Sequence, residues 1–196
     1  MITERLKSET RPQHEALETV AFSKKIMDGS LGLAEYKVLL SHNYIVNSLI
    51  EEKLQAMHEF KTIEGLNFDQ RLKTDKLIAD LEVLQLDKEA LDAQKPHFEL
   101  NDKYEALGAF YVLEGSTLGG AMISRQLVKN ENLKEVSDFH YYGVYGELVG
   151  PMWKAFQQVL INEADGNTDN ENKMVKKAAE TFDLMKQLFD AHAKQA

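Results

Sequence analysis

The sequence predicts an all-α protein. Three observations carry that expectation. Leu, Ala, Glu and Lys are used heavily, only three prolines interrupt the 196 residues, and no stretch shows the apolar–polar alternation of a half-buried strand. The length suits one domain over residues 1–196, large enough to bury a core without disulfides or a structural metal. No repeat period and no interdomain linker is visible.

Residues 3–18 form the first expected helix, with Thr3 as its cap. Pro12 falls inside it and calls for a kink or restart near Thr10. FSKKIMDG (22–29) reads as a short helix ended by Gly29. Residues 33–60 carry apolar side chains at helical spacing, a long amphipathic helix on which Glu51 and Glu52 read as a solvated face. Two shorter helices follow at 69–84 and 87–93, and Pro96 breaks the chain. Residues 102–130 make a second long helix. YYGVYGELVG (141–150) reads as a loop or helix start, its tyrosines as packing together with Trp153. The last two helices cover 151–164 and 171–193, separated by the polar DGNTDNEN.

Composition excludes several classes of function. Cysteine is absent, so a disulfide framework, a thiolate zinc site and a cysteine nucleophile are all ruled out; this agrees with a reducing compartment. The opening MITERLKSETRPQHEALE is charged and has no apolar leader, and no run approaches the ~18 apolar residues of a membrane span. A soluble cytoplasmic protein, with no membrane partner, is expected. Net charge is −9, from 32 acidic against 23 basic residues, and no basic stripe points to nucleic acid. The acidity serves solubility or steers a basic partner to the surface. His42, His58, His97, His140 and His192 lack partners at metal-site spacing. No HExxH and no Glu-x-x-His occurs, which argues against a ferritin-like di-iron site.

Two stretches stand out. GAFYVLEGSTLGG (108–120) places four glycines inside a long helix, although each costs roughly 0.5–1 kcal/mol relative to alanine there. At about 100° per residue, Gly115 and Gly119 fall within about 20° of Gly108, a stripe without side chains, with Gly120 further round. Such a stripe admits a neighbouring helix or a flat ligand, and the Gly119–Gly120 pair offers a bend. Near the amino terminus, His14 and Glu18 are i, i+4 neighbours, so the carboxylate can orient the imidazole. That pair is either an ordinary surface pair or one axial ligand for haem, with the bare helix face as the opposite wall of a flat pocket.

LKSETRPQHEALE (6–18) resembles the proximal-helix motif of heme oxygenases, and LGAFYVLEGSTLGG (107–120) resembles their distal-helix motif. The order and spacing of the two blocks, the long third helix and MWKAF (152–156) agree, so the likeness covers essentially the whole chain. GSTLGG is similar to bacterial members that supply biliverdin to phytochromes. The resemblance implies a single-domain, multihelical bundle of roughly eight helices. It implies haem as both cofactor and substrate, cleaved with O2 and reducing equivalents to biliverdin, carbon monoxide and ferrous iron. An electron donor such as a ferredoxin or a flavin reductase is then needed. Carried over by position, His14 is the axial ligand and Glu18 contacts its other nitrogen. Gly115, Gly119 and Gly120 are the flexible distal positions. Lys7, Arg11 and Lys154 are basic positions suited to haem propionates. Many members have aspartate directly after the first distal glycine, where it organises water; Ser116 stands there instead and can still donate and accept. A haem carrier or sensor of the same fold is the alternative, and a helical interaction module without haem a third.

Overall fold

The computed structural model describes residues 1–194. Ten α-helices occur among them: α1 (Ile2–Glu9), α2 (Arg11–Val20), α3 (Ser23–Asp28), α4 (Leu33–Ala56), α5 (His58–Lys61), α6 (Thr74–Val83), α7 (Lys88–Asp92), α8 (Lys103–Lys129), α9 (Val149–Ala164) and α10 (Thr168–Ala193). Short 3-10 turns cover Phe68–Arg71, Glu131–Leu133 and Gly146–Leu148, and no strand is present among the described residues.

The first expected helix is two. Pro12 sits in the first turn of α2, where a missing N–H is harmless, and the break falls at Thr10. Two backbone bonds, Thr10 N–H to Leu6 O (3.2 Å) and His14 N–H to Thr10 O (3.0 Å), carry the helical track across it. Lys7, Arg11, His14 and Glu18 therefore stay on one side. Met1, not Thr3, precedes the first helical residue, and its side chain makes no cap.

The expectation for Glu51 is overturned. Its side chain is buried, and its carboxylate accepts from Lys73 N–H (2.7 Å), Thr74 N–H (3.1 Å) and the Thr74 hydroxyl (2.6 Å). A side chain of α4 thus satisfies the free amides that open α6, and the chain before it, Phe68–Arg71, remains a 3-10 turn. Glu52 does face solvent, where it pairs with Lys95. The long third helix stops at Ala56, because Met57 takes an extended backbone and 58–61 starts again as α5.

The core lies around α4, α8 and α10. Phe60, Phe68, Phe110 and Phe156 meet edge to face at centroid distances of 5.3–5.6 Å, an arrangement that aromatic quadrupoles favour. They join α5, the 3-10 turn, α8 and α9. By length and apolarity alone α8 is capable of crossing a membrane, yet over half of its apolar window is buried inside the bundle. Gly108 explains one of the four glycines: a Cβ there would lie 2.2 Å from the Met174 carbonyl oxygen of α10. The two helices touch backbone to backbone at that point.

His42 is buried against the Phe189 ring at 4.5 Å, and no hydrogen-bond partner is found for its Nδ1 among the described residues. Burial, helped by His192, pushes its pKa down to about 4. The unfolded chain takes up this proton near the ordinary value of about 6.5, so acidification favours the unfolded state across the interval between the two. Urea midpoints are expected to fall from pH 7 to pH 5, with His42 responsible for about 2 kcal/mol of the loss. The same titration of His42→Phe, which cannot protonate, should show that much less dependence; an identical slope in both proteins refutes the assignment.

Candidate functional site

The near-continuous α1–α2 rod presents His14 outward. Its side chain is 53% exposed and its ring stands edge-on to Phe182 of α10 at 5.5 Å. Nδ1 faces a Glu18 carboxylate oxygen at 3.7 Å, too long for a direct hydrogen bond but close enough for charge to orient the ring. Nε2 has no hydrogen-bond partner among the described residues. On the same side, Lys7 is exposed, while Arg11 is engaged by Glu15 at 2.6 Å. Lys154, on α9, is also exposed, and α1 packs against α9.

On α8 the glycines divide into two kinds. Gly108 and Gly120 are packing glycines. A Cβ on Gly120 would lie 2.7 Å from the Tyr142 carbonyl oxygen, so this residue is buried against the 141–145 segment rather than open to a ligand. Gly115 and Gly119 are different. The first would meet only the edge of Trp153 at 3.9 Å, the second only Ile123 of its own helix at 3.7 Å. Leu118 and Met122 share their side of the helix, at i+3 and i+7 from Gly115, and are 46% and 50% exposed. Two bare positions flanked by two uncovered apolar side chains form an open face. The Gly119–Gly120 pair does not interrupt α8, which is continuous from Lys103 to Lys129.

α10 relates the two faces. It runs in the same direction as α8: Lys173 pairs with Asp102 at their starts (2.6 Å), and near their ends Phe189 packs on Phe22 while Asn130 donates to the Leu31 carbonyl. From the contact at Gly108 and Met174, Gly115 lies seven residues along α8, about 10 Å. Phe182, against which His14 stands, lies eight residues along α10, about 12 Å. Gly115 and the Phe182 level that bears His14 thus lie at similar distances along α8 and α10 from that contact. The donor set suits haem: one neutral-capable imidazole with a free nitrogen, a flat apolar surface with room at two backbone positions, and basic side chains at the rim.

Behind the open face lies a polar cluster that local sequence did not reveal. Glu114, immediately before Gly115, is 1% exposed. Its carboxylate accepts from Arg71, from Lys73 Nζ (2.6 Å) and from the Tyr145 hydroxyl (2.7 Å). Burial and the adjacent carboxylate hold the Tyr145 phenol well above its ordinary pKa, so it stays a donor. Arg71 also donates to the Met152 carbonyl at the start of α9. With Glu51 on the backbone of Lys73 and Thr74, two cations and two anions close a neutral group that fixes the depth of α8. Ser116 donates to its own helix at Leu113 O (2.8 Å) and touches the Tyr141 hydroxyl at 3.3 Å.

The fold is an all-α bundle with an exposed imidazole on α2 and two open glycines on α8. Residues 1–191 match the family model described as heme oxygenase, and the chain belongs to the heme oxygenase family. Among curated proteins, none matches its sequence. Solved structures with the same fold include heme oxygenase-1 from the cyanobacterium Synechocystis in complex with heme, at 15% identity, covering 99% of this chain and 93% of that one with a TM-score of 0.76. Heme oxygenase from Leptospira interrogans matches at 16% identity, 97% and 98% coverage and a TM-score of 0.75. The NO- and CO-bound heme oxygenase from Neisseria meningitidis matches at 18%, 97% and 91% coverage and 0.70. At these identities the likeness is one of fold.

Proposed function

We infer that the protein is a working heme oxygenase, which cleaves haem to biliverdin, carbon monoxide and ferrous iron. One pair of observations supports the reading: His14 of α2 is half-exposed with its edge on Phe182 of α10, and Gly115 and Gly119 of α8 have no backbone of another element packed on them. Haem, when bound, supplies the iron and the porphyrin that is consumed. His14 would hold the haem iron through Nε2, with Glu18 orienting the ring. Gly115 and Gly119 would let the α8 backbone approach the haem closely, and among the described residues no acidic or basic atom lies within 4 Å of a Cβ built at either position. Leu118 and Met122 exclude water from the apolar ring. Lys7 and Lys154 are the free cations for the propionates; Arg11 would first have to leave Glu15. Gly120 acts from behind, by letting the Tyr142 segment seat against α8.

GSTLGG favours the phytochrome-associated type. The net acidic surface suits a reductase with a basic docking face, either a ferredoxin system or a flavin reductase, and the reaction draws on O2. A cytoplasmic site of action agrees with the absence of cysteine. The test is a hemin titration: a sharp Soret band should grow to one equivalent, quenching the lone Trp153 beside Gly115, and reductant should then convert it to biliverdin absorption. A Soret band without conversion supports a carrier instead, and no band removes haem from the account.

The glycines make a second test. Gly119→Leu meets only a flexible Ile123 methyl, so the variant should fold with wild-type helicity yet lose hemin affinity by at least an order of magnitude, as its side chain occupies the open face. Gly108→Ala should do the reverse, losing about 1–3 kcal/mol of stability because its Cβ meets the Met174 backbone. Unaltered hemin binding in Gly119→Leu would count against the glycine wall.

A further inference from the structure

We propose that Tyr141 is a positioning residue that aims the Ser116 hydroxyl, through a one-way hydrogen-bond chain, at the diatomic substrate on the open face of α8; this rests on the heme oxygenase reading of the site. Ser116 is exposed, one residue past Gly115, and is the hydroxyl nearest the bare positions in sequence. Its own proton is taken by the Leu113 carbonyl at 2.8 Å. Its oxygen is therefore free to accept, and the Tyr141 hydroxyl lies 3.3 Å away. Tyr141 is buried, and its oxygen accepts in turn from Asn47 Nδ2 at 3.4 Å. Asn47 is held on α4 by a second bond from the same nitrogen to the Asn43 carbonyl at 2.8 Å.

With the Tyr141 proton on Ser116 the donors run one way: amide to phenol, phenol to serine, serine to the Leu113 carbonyl. Bonds in such a row polarise one another, so a donated proton from Tyr141 makes Ser116 a stronger donor than a lone surface serine. A serine hydroxyl can rotate about its Cβ–Oγ bond. When a polar ligand sits over Gly115 and Gly119, the Ser116 proton can turn from the Leu113 carbonyl to that ligand while its oxygen keeps the bond from Tyr141. No proton leaves the chain in this step and no carboxylate is needed. Burial holds the phenol above its ordinary pKa, so Tyr141 remains protonated at neutral pH. The competing acceptor is Asn43 Oδ1, 3.4 Å from the Tyr141 hydroxyl; a phenol has one proton and must choose between them.

Proton NMR of the full-length apoprotein separates the two. A protected Tyr141 hydroxyl resonance is expected, absent in Tyr141→Phe and displaced in Ser116→Ala. A resonance unmoved by Ser116→Ala, or no protected hydroxyl at all, overturns the chain. Turnover of the haem complex supplies the second arm. Ser116→Ala should lower kcat about tenfold, the order of one lost hydrogen bond, with hemin affinity little changed, and Ser116→Thr should restore it. Tyr141→Phe should lower kcat similarly, yet add nothing in the Ser116→Ala background. Additive losses, or Ser116→Ala at wild-type rate, overturn the proposal while leaving the enzyme reading intact. Because Ser116 is on the surface, its variants decide the matter even if Tyr141→Phe melts early. Wild-type protein that binds no hemin fails the reading of the site itself, and the donor role falls with it.

Discussion

His14→Ala is expected to abolish the histidine-ligated Soret band and reduce biliverdin formation to background. The loss should be of function alone. His14 is 53% exposed and its ring stands edge-on to Phe182, so the thermal midpoint should move little, in line with about 0.5 kcal/mol for a surface change. Glu18→Gln is the graded companion: removing a carboxylate that orients a ligating imidazole typically lowers affinity about 10- to 100-fold, and the 3.7 Å separation here places this pair near the lower end. Absorption spectra and single-turnover assays of the three proteins check both. His14→Ala with an unchanged Soret band and normal turnover would falsify the assignment.

Glu114→Ala should have the largest effect on stability. It strips the shared carboxylate from Arg71 and Lys73, whose side chains are 1% and 0% exposed. Two buried cations are then left with only Glu51 nearby, whose carboxylate is committed to backbone and hydroxyl donors. Breaking a buried ion pair from one side costs about 3–5 kcal/mol, which for a chain of this length lowers the melting temperature by roughly 10 °C. Calorimetry on the apoprotein checks it; a drop below about 1 kcal/mol means that water or a rearranged partner solvates the cations. Hemin affinity should fall as well, because Glu114 sets the position of Gly115 and Arg71 tethers Met152, one residue before Trp153. Replacing three of the charges together, with Arg71→Met, Lys73→Met and Glu114→Leu, should recover part of the lost stability, since the one charge that then remains, Glu51, keeps its hydrogen bonds from the backbone N–H groups of residues 73 and 74 and from the Thr74 hydroxyl.

Much of this molecule was legible in its residues alone. Helical spacing and sparse proline set the all-α class, and Pro12 announced the break beside α2. The His14–Glu18 spacing and the glycine stripe put the two candidate faces on separate helices, because i, i+4 geometry and a repeat of about 100° are properties of any α-helix. The tertiary structure decided which glycines are open. Angular position cannot distinguish Gly108, sealed by the Met174 carbonyl, from Gly115, which has nearly the same phase but meets only the edge of the Trp153 ring; the difference depends on what packs where along α8. It also decided the fate of the charges. Glu51 reads as a solvent-facing acid in sequence and Glu114 carries no signal there, since their partners lie 22 to 43 residues away and only folding brings them together. Ser116 gained its meaning in the same way, from a tyrosine 25 residues downstream. Local periodicity specifies which side of a helix a residue occupies, whereas burial and long-range pairing are set by the packing of whole helices.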